Sequence, residues 1–534
     1  MKRQYILTIL SIAILFTSSS FRPVPSVQVK VQNGVLEGKL ENSGIRSFKG
    51  VPFAQAPVGD LRWKDPQPID NWSGVRQAQN FGPNPMQGKP FGDMRFRSSR
   101  MSEDCLYLNV WTPAKSAKEK LPVLVYFYGG GYIAGDGSEG RYDGEAMARK
   151  GIVTLTVNYR LGVFGFLAHP ELSKESKHGS SGNYGLLDQH AALKWVRDNI
   201  SAFGGDPSRV TIAGESAGSI SVSAHMASPL SKNLIAGAIG ESGAMIHPTL
   251  APLTKEEAEQ NGHTFAEKIK VNGLAALRAV SATDLLQLSQ EAGAFKTAAN
   301  VDGYFLPKLP SAIFAAAAQA MVPLLAGWNS AEVPYQAFLR GEAPTPENYT
   351  KLVKQEYTGQ AEQVMKLYPG NTPEEVVASA TALASDRFIN YSTWKWIDLH
   401  RKTSGKPVYR YLFAKAQPPL TQVPDKKEQG PKDYPAPLKG APHAFEIEYA
   451  MGNLQTNPDY AWTADDKKVS SVMMEYFANF IKTGNPNGKG LAAWDAVGAS
   501  GQMKVMNLGL PIAQKKESVQ DYQRYLFLDK QYMK

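Results

Sequence analysis

The ten residues from 210 to 219, Val-Thr-Ile-Ala-Gly-Glu-Ser-Ala-Gly-Ser, constrain the fold more than any other stretch of the chain. An apolar, β-branched run passes there directly into the pattern G-x-S-x-G. A serine hydroxyl that is to meet a substrate carbonyl must stand clear of its sheet, which requires a sharp, strained strand-to-helix turn. Gly214 and Gly218 remove side chains where the two backbones nearly touch. A helix starting near Ala217 aims its free N–H groups at the same point, where a developing oxyanion is stabilised. Ser216 is therefore the candidate nucleophile, with Glu215 beside it as a candidate electrostatic neighbour.

The rest of the chain reads as a frame for that corner. Short apolar runs recur at 121–128, 152–159, 210–214, 235–240, 322–327 and 408–413. Helical patterns fall between several of them, and one is clear over 186–200, where Leu186, Leu193, Val196 and Ile200 trace one face. This alternation predicts an α/β fold with a large, mainly parallel central sheet flanked by helices. Residues 27–31, then Asn33-Gly34, then Val35 onward predict a β-hairpin. The Ala-, Gln- and Glu-rich stretches around 254–296 and 344–386 predict added helices. Neither an internal repeat nor a low-complexity linker divides the chain, so 21–534 is expected to form one domain. Tyr128-Gly-Gly-Gly131 follows a strand, and its glycines free backbone N–H groups to face an anion. Gly130, Gly131 and Ala217 would together make a three-donor oxyanion hole; the alternative is a flexible strand-to-helix loop. A second glycine pattern at 135–140 matches a dinucleotide fingerprint, but no strand directly precedes it and no acid lies about 20 residues beyond.

Composition narrows the function classes. Lys2 and Arg3 precede a mostly apolar run from Tyr5 to Phe16 and small residues Ser18 to Ser20. That arrangement predicts a signal peptide over 1–20, cleaved near Ser20, and a secreted or periplasmic protein. The run is shorter than the about 20 residues of a membrane span, and no later segment is long and apolar enough to be one. The net charge of +9 is spread over 534 residues with no dense basic block, so no nucleic-acid partner is expected. The single cysteine, Cys105, can form neither an internal disulfide nor a cysteine-based metal cage. Eight scattered histidines contain no HExxH pair, so no metal is expected.

Phe203-Gly-Gly-Asp-Pro-Ser-Arg-Val-Thr-Ile-Ala-Gly-Glu-Ser-Ala-Gly218 resembles the serine signature of the type-B carboxylesterase family, which includes the cholinesterases. Glu103-Asp-Cys-Leu-Tyr-Leu-Asn-Val-Trp111 resembles its second signature. Phe48-Lys-Gly-Val-Pro-Phe-Ala54, Gly182-Asn-Tyr-Gly-Leu-Leu-Asp-Gln189 and Thr483-Gly-Asn-Pro-Asn487 are similar to further family segments, so the likeness runs over roughly 27–530. The resemblance implies an α/β-hydrolase core whose helical insertions form an active-site gorge. It also implies hydrolysis of small carboxylic esters without a cofactor.

In that fold the catalytic groups follow the order Ser, acid, His. Five histidines follow Ser216, and His225 lies on the same helix, too far along to fold back. His443, in Gly440-Ala-Pro-His-Ala-Phe-Glu-Ile-Glu448, resembles the family's catalytic-histidine segment. Glu332 follows the apolar run of Leu324-Leu-Ala-Gly-Trp-Asn and resembles the family's acid loop, with Val333 replacing the usual glycine. Arg62 and Glu103 resemble a structural ion pair of the family. Two departures stand out. The family usually pairs the cysteine of the second signature with an upstream one, and Pro85 occupies that place here, which implies that Cys105 is a free, buried thiol. No tryptophan lies between Trp72 and Trp111, and Met94 and Arg95 stand where cholinesterases carry a choline-binding one. That argues against cholinesterase activity. The expected function is therefore a serine carboxylic ester hydrolase. A binding module that keeps the fold without catalysis is the rival class, and amide, lactone or long-chain lipase chemistry at the same triad stays open, as does the oligomeric state.

Overall fold

In the computed structural model, residues 26–291, 293–421 and 440–533 are described. The expected signal peptide at 1–20 lies outside them. A 13-stranded sheet runs through these residues. Its strands are β1 (Ser26–Val31), β2 (Gly34–Leu40), β3 (Arg46–Pro52), β4 (Val75–Gln77), β5 (Tyr107–Thr112), β6 (Leu121–Phe127) and β7 (Val153–Val157). The series continues with β8 (Gly205–Glu215), β9 (Gly237–Glu241), β10 (Leu324–Asn329), β11 (Val408–Phe413), β12 (Lys504–Leu508) and β13 (Ala513–Lys516). The spatial order is β1-β2-β3-β5-β7-β6-β8-β9-β10-β11-β12-β13, with β4 on the side of β2.

From β7 to β12 every neighbouring pair is parallel, and the antiparallel pairs lie toward the two edges. The six apolar runs read from the sequence all fall on strands of the parallel centre. Those strands carry apolar residues almost continuously because helices cover both faces; all five residues of β7 and all six of β10 are buried. The N-terminal hairpin forms with a shift of one residue. Val31 pairs with Gly34, so the two-residue turn is Gln32-Asn33 rather than Asn33-Gly34. Gly34 enters the strand because the Trp72 indole sits where its side chain would be, 2.4 Å from the position of an added Cβ.

Helix α1 (Tyr184–Asn199) buries Leu186, Leu193 and Val196 and leaves Lys194 and Arg197 exposed, as its periodicity predicts. Helix α2 (Ala217–Ala227) is rich in small residues and buried throughout. Both stretches read as added helices are helical: Lys255–Lys268, Leu274–Ala279 and Ala282–Gln290 in the first, Pro346–Glu356, Ala361–Leu367 and Pro373–Ser385 in the second. Their starts are chemically marked. Thr254 makes a reciprocal capping box with Glu257, while Thr345 and Thr372 cap helices that begin on Pro346 and Pro373.

Candidate active site

The carboxyl ends of β6, β8, β9 and β10 converge, which is where an open parallel sheet offers a crevice. From β8 the chain turns into α2 through Ser216, held at φ 53° and ψ −120°. A non-glycine residue there costs about 1–3 kcal/mol and persists only when its surroundings impose it. They do. The Ser216 N–H donates to the Glu241 carbonyl at 2.8 Å, and the Ser216 carbonyl accepts from the Ile220 N–H at 2.8 Å. A Cβ on Gly218 would lie 2.0 Å from the Phe127 carbonyl oxygen, and one on Gly214 would lie 2.5 Å from the Gly218 carbonyl carbon. Strand and helix therefore approach too closely for any other residue at either position, as the motif requires.

The three residues expected to form a triad meet. Ser216 Oγ lies 2.9 Å from His443 Nε2, and His443 Nδ1 lies 2.6 Å from Glu332 Oε2. The His443 N–H also donates to the Glu332 carbonyl at 3.1 Å, which ties the two loops together. Glu332 Oε1 accepts from the Asn329 N–H at 2.6 Å and from the Ser242 hydroxyl at 2.6 Å. With both oxygens engaged, the carboxylate holds one orientation. His443 is the most exposed of the three, its side chain being 25% exposed. The Phe388 ring meets the imidazole edge-on at 5.1 Å.

Glu215 lies beside this group, its Oε1 3.3 Å from His443 Nε2. Glu215, Glu241, Glu332 and Glu446 are all buried around the same spot. Burial pushes the Glu215 carboxyl up to about 8 and Glu446 up to about 7, and raises Glu241 further. Burial would lower His443, but the negative charges of Glu215 and Glu332 and the hydrogen bond to Glu332 outweigh it and raise the imidazole to about 10. The pocket is thus built to stabilise an imidazolium.

The glycine loop lies over the same corner. A Cβ on Gly129 would come within 3.1 Å of Ser216 Cβ. Gly130 and Gly131 have φ of 107° and 62°, which favour glycine. The Gly130 carbonyl accepts from the N–H groups of Ile133 and Ala134. Among the described residues, the N–H groups of Gly130, Gly131 and Ala217 are not engaged by another protein group. A Cβ on Gly130 would lie 2.8 Å from the Met94 methyl, so Met94 reaches the glycine loop. Tyr304 lies away from the triad. It stacks on His178 at 3.6 Å in a cleft of about 740 Å³ that no member of the triad lines.

Three participants were not singled out from the sequence. Ser242 follows β9 in Glu-Ser-Gly, a small-residue turn after an apolar run, and that pattern was its only signal. Asn329 ends β10 and donates to both the Pro442 carbonyl and the Glu446 carboxylate. Glu446 stood within the quoted histidine segment, but nothing local marks it as buried. The Arg62–Glu103 pair forms through Nε and Nη2 at 2.6 and 2.7 Å. Cys105 is a free, buried thiol.

The model of the carboxylesterase family matches residues 25–525. A fumonisin B1 esterase from Sphingopyxis macrogoltabida is 36% identical over 482 residues, 87% of this chain and 83% of that protein. A para-nitrobenzyl esterase from Bacillus subtilis is 35% identical over 477 residues, 86% of this chain and 90% of that protein. Among solved structures, a thermophilic PNB esterase superposes with a TM-score of 0.78 at 31% identity, over 94% of this chain and 99% of the other.

Proposed function

This chain belongs to the carboxylesterase family, has its α/β-hydrolase fold and hydrolyses carboxylic esters, and we propose that Ser216, His443 and Glu332 carry the reaction. The observation that supports this most is the unbroken line of contacts from Ser216 Oγ through both imidazole nitrogens to Glu332. In this reading Nδ1–H donates to Glu332, which fixes the tautomer and leaves the Nε2 lone pair facing the serine proton. Ser216 Oγ attacks the ester carbonyl as His443 Nε2 takes that proton. The tetrahedral oxyanion rests on the N–H groups of Gly130, Gly131 and Ala217, preorganised donors that need not rearrange as charge develops. His443 then protonates the leaving alcohol. Water, deprotonated by the same imidazole, attacks the acyl-enzyme and releases the acid, restoring the serine hydroxyl.

Glu215 supports the charged imidazole in both half-reactions from its place 3.3 Å away. The substrate is a small-molecule ester whose acyl and alcohol groups lie around Met94 and Phe388. Residues 21–534 act as one catalytic domain, a reading supported by the family match over nearly all of them. Export rests on Lys2, Arg3 and the apolar run that follows them. No described helix is long and apolar enough to cross a membrane. Ser216→Ala tests the assignment. Turnover of p-nitrophenyl acetate is expected to fall by roughly 10⁴-fold or more while the thermal midpoint is kept. Undiminished turnover would refute it.

A further inference from the structure

Between the glycine loop and the nucleophile helix runs a buried polar chain that the reaction described above does not use. Tyr132 follows Gly131, is fully buried and is held at φ 61°. Its hydroxyl lies 3.2 Å from Ser221 Oγ on α2. Ser221 Oγ also lies 3.0 Å from the Ala217 carbonyl and 3.1 Å from the side-chain amide nitrogen of Gln189 on α1. A carbonyl only accepts and an amide N–H only donates, so the Ser221 proton goes to Ala217 and its oxygen accepts from Gln189. One lone pair remains, and it takes the Tyr132 O–H, which makes the tyrosine the donor.

The chain continues beyond Gln189. Gln189 Oε1 lies 2.9 Å from His225 Nε2, and His225 Nδ1 lies 2.9 Å from Ser231 Oγ. Burial pushes the His225 imidazole well down, so the ring stays neutral and donates through one nitrogen only. With the Gln189 carbonyl accepting from His225, its NH₂ faces Ser221.

We propose that Tyr132 is a positioning residue for the oxyanion hole. Through the single oxygen of Ser221 it ties the loop carrying Gly130 and Gly131 to the turn carrying Ala217. This rests on the oxyanion assignment above. The three donors come from two separate segments, and their spacing depends on how the loop sits on the helix. A misplacement of about 1 Å at such a site can cost about 10²-fold in rate. Tyr132 has a second attachment, since its ring packs on Phe166 at 4.7 Å. Removing the hydroxyl alone separates the two.

Tyr132→Phe keeps the ring and breaks the tie. For an aryl ester, kcat is expected to fall about tenfold with KM within twofold, less than the about 10²–10³ lost when a donor itself is removed. Affinity for an aryl trifluoromethyl ketone, whose adduct places an oxyanion in the hole, should weaken by the same factor. A merely structural hydroxyl would lower the thermal midpoint and leave the ketone affinity unchanged. Ser221→Ala should show the same paired loss, and the double variant should be no worse than Ser221→Ala, because both remove one tie. Tyr132→Phe with kcat and ketone affinity within twofold of the parent, or additive losses in the double variant, would overturn the proposal. Ser216→Ala assayed in parallel keeps the two readings apart, since persistent turnover there refutes the underlying site whatever Tyr132→Phe does.

Discussion

At the scale of single residues, the chemistry turns on charge around one imidazole. In the proposed cycle His443 accepts a proton from Ser216 only when neutral. Burial favours that form, but Glu215 and Glu332 favour the cation more and raise its pKa to about 10. A raised pKa moves the onset of activity to higher pH, so kcat/KM should climb through the neutral range and into the alkaline. Above about pH 8, where Glu215 ionises, Glu215→Gln removes one of the two nearby negative charges and keeps the shape. It should lower the His443 pKa and move the acid limb of the kcat/KM profile to lower pH, while also weakening support for the imidazolium and so reducing the maximum. An acid limb that stays in place or moves upward would show that Glu215 does not act on His443. Ser216 stood out in the sequence through its strand-then-motif context, and Glu332 and His443 through chain order and their resemblance to family segments. Ser242, Asn329 and Glu446 did not. The side chain of each acts through a contact spanning about 90 residues or more, such as Ser242 with Glu332, and no local pattern encodes it.

At the scale of elements, the β8–α2 corner carries the design. Gly218 must pass the Phe127 carbonyl on the neighbouring strand, and a Cβ there would lie 2.0 Å from it. The obstacle is sheet backbone, which cannot swing aside as a side chain can. Gly218→Ala should therefore destabilise the protein at or beyond the top of the about 1–3 kcal/mol that overpacking typically costs. A thermal midpoint within 1 °C of the parent, at the roughly 2–4 °C per kcal/mol expected for domains of 150–250 residues, would contradict the close approach. The strands of the parallel centre were readable because burial on both faces makes them continuous apolar runs. Strand β8 begins five residues before its apolar run, at Gly205, because Gly205 pairs with Leu121 before a register shift, and the regular ladder with β6 resumes only at Val210. The hairpin turn was misplaced by one residue for a comparable reason. Asn-Gly is a strong turn signal, but the Trp72 indole reserves Gly34 for the strand.

At the scale of the whole molecule, distant segments are pinned by polar contacts. Loop 85–105 is held by Gln87, whose side-chain amide pairs with Gly135 in both directions at 2.8 Å, by Arg141 with Asp93, and by Arg97 with Ser138 and Asp143. The Gln87 contact lies four residues from the glycine loop, so the loop that brings Met94 to the site is fastened close to it. Arg62 makes a second pin. Besides its bidentate pairing with Glu103, it donates to the carbonyls of Arg278 and Val280 at 3.1 and 2.7 Å, joining the inserted helices to the sheet domain. The pair itself was anticipated by resemblance, but its carbonyl partners lie more than 200 residues away and left no trace in the sequence. Arg62→Ala leaves Glu103 and two carbonyls without their partner in a largely buried setting, and should cost about 3–5 kcal/mol. Equilibrium or kinetic unfolding that matches the parent would contradict this.

The proposed nucleophile is one hydroxyl, that of Ser216, and covalent trapping reads it directly. The protein would be treated with paraoxon, and residual esterase activity followed beside intact mass and peptide mass spectrometry. One diethylphosphoryl group should be added per chain, on the peptide containing Ser216, with activity lost in proportion to the label. A label on another residue, or activity that survives full occupancy of Ser216, would contradict it.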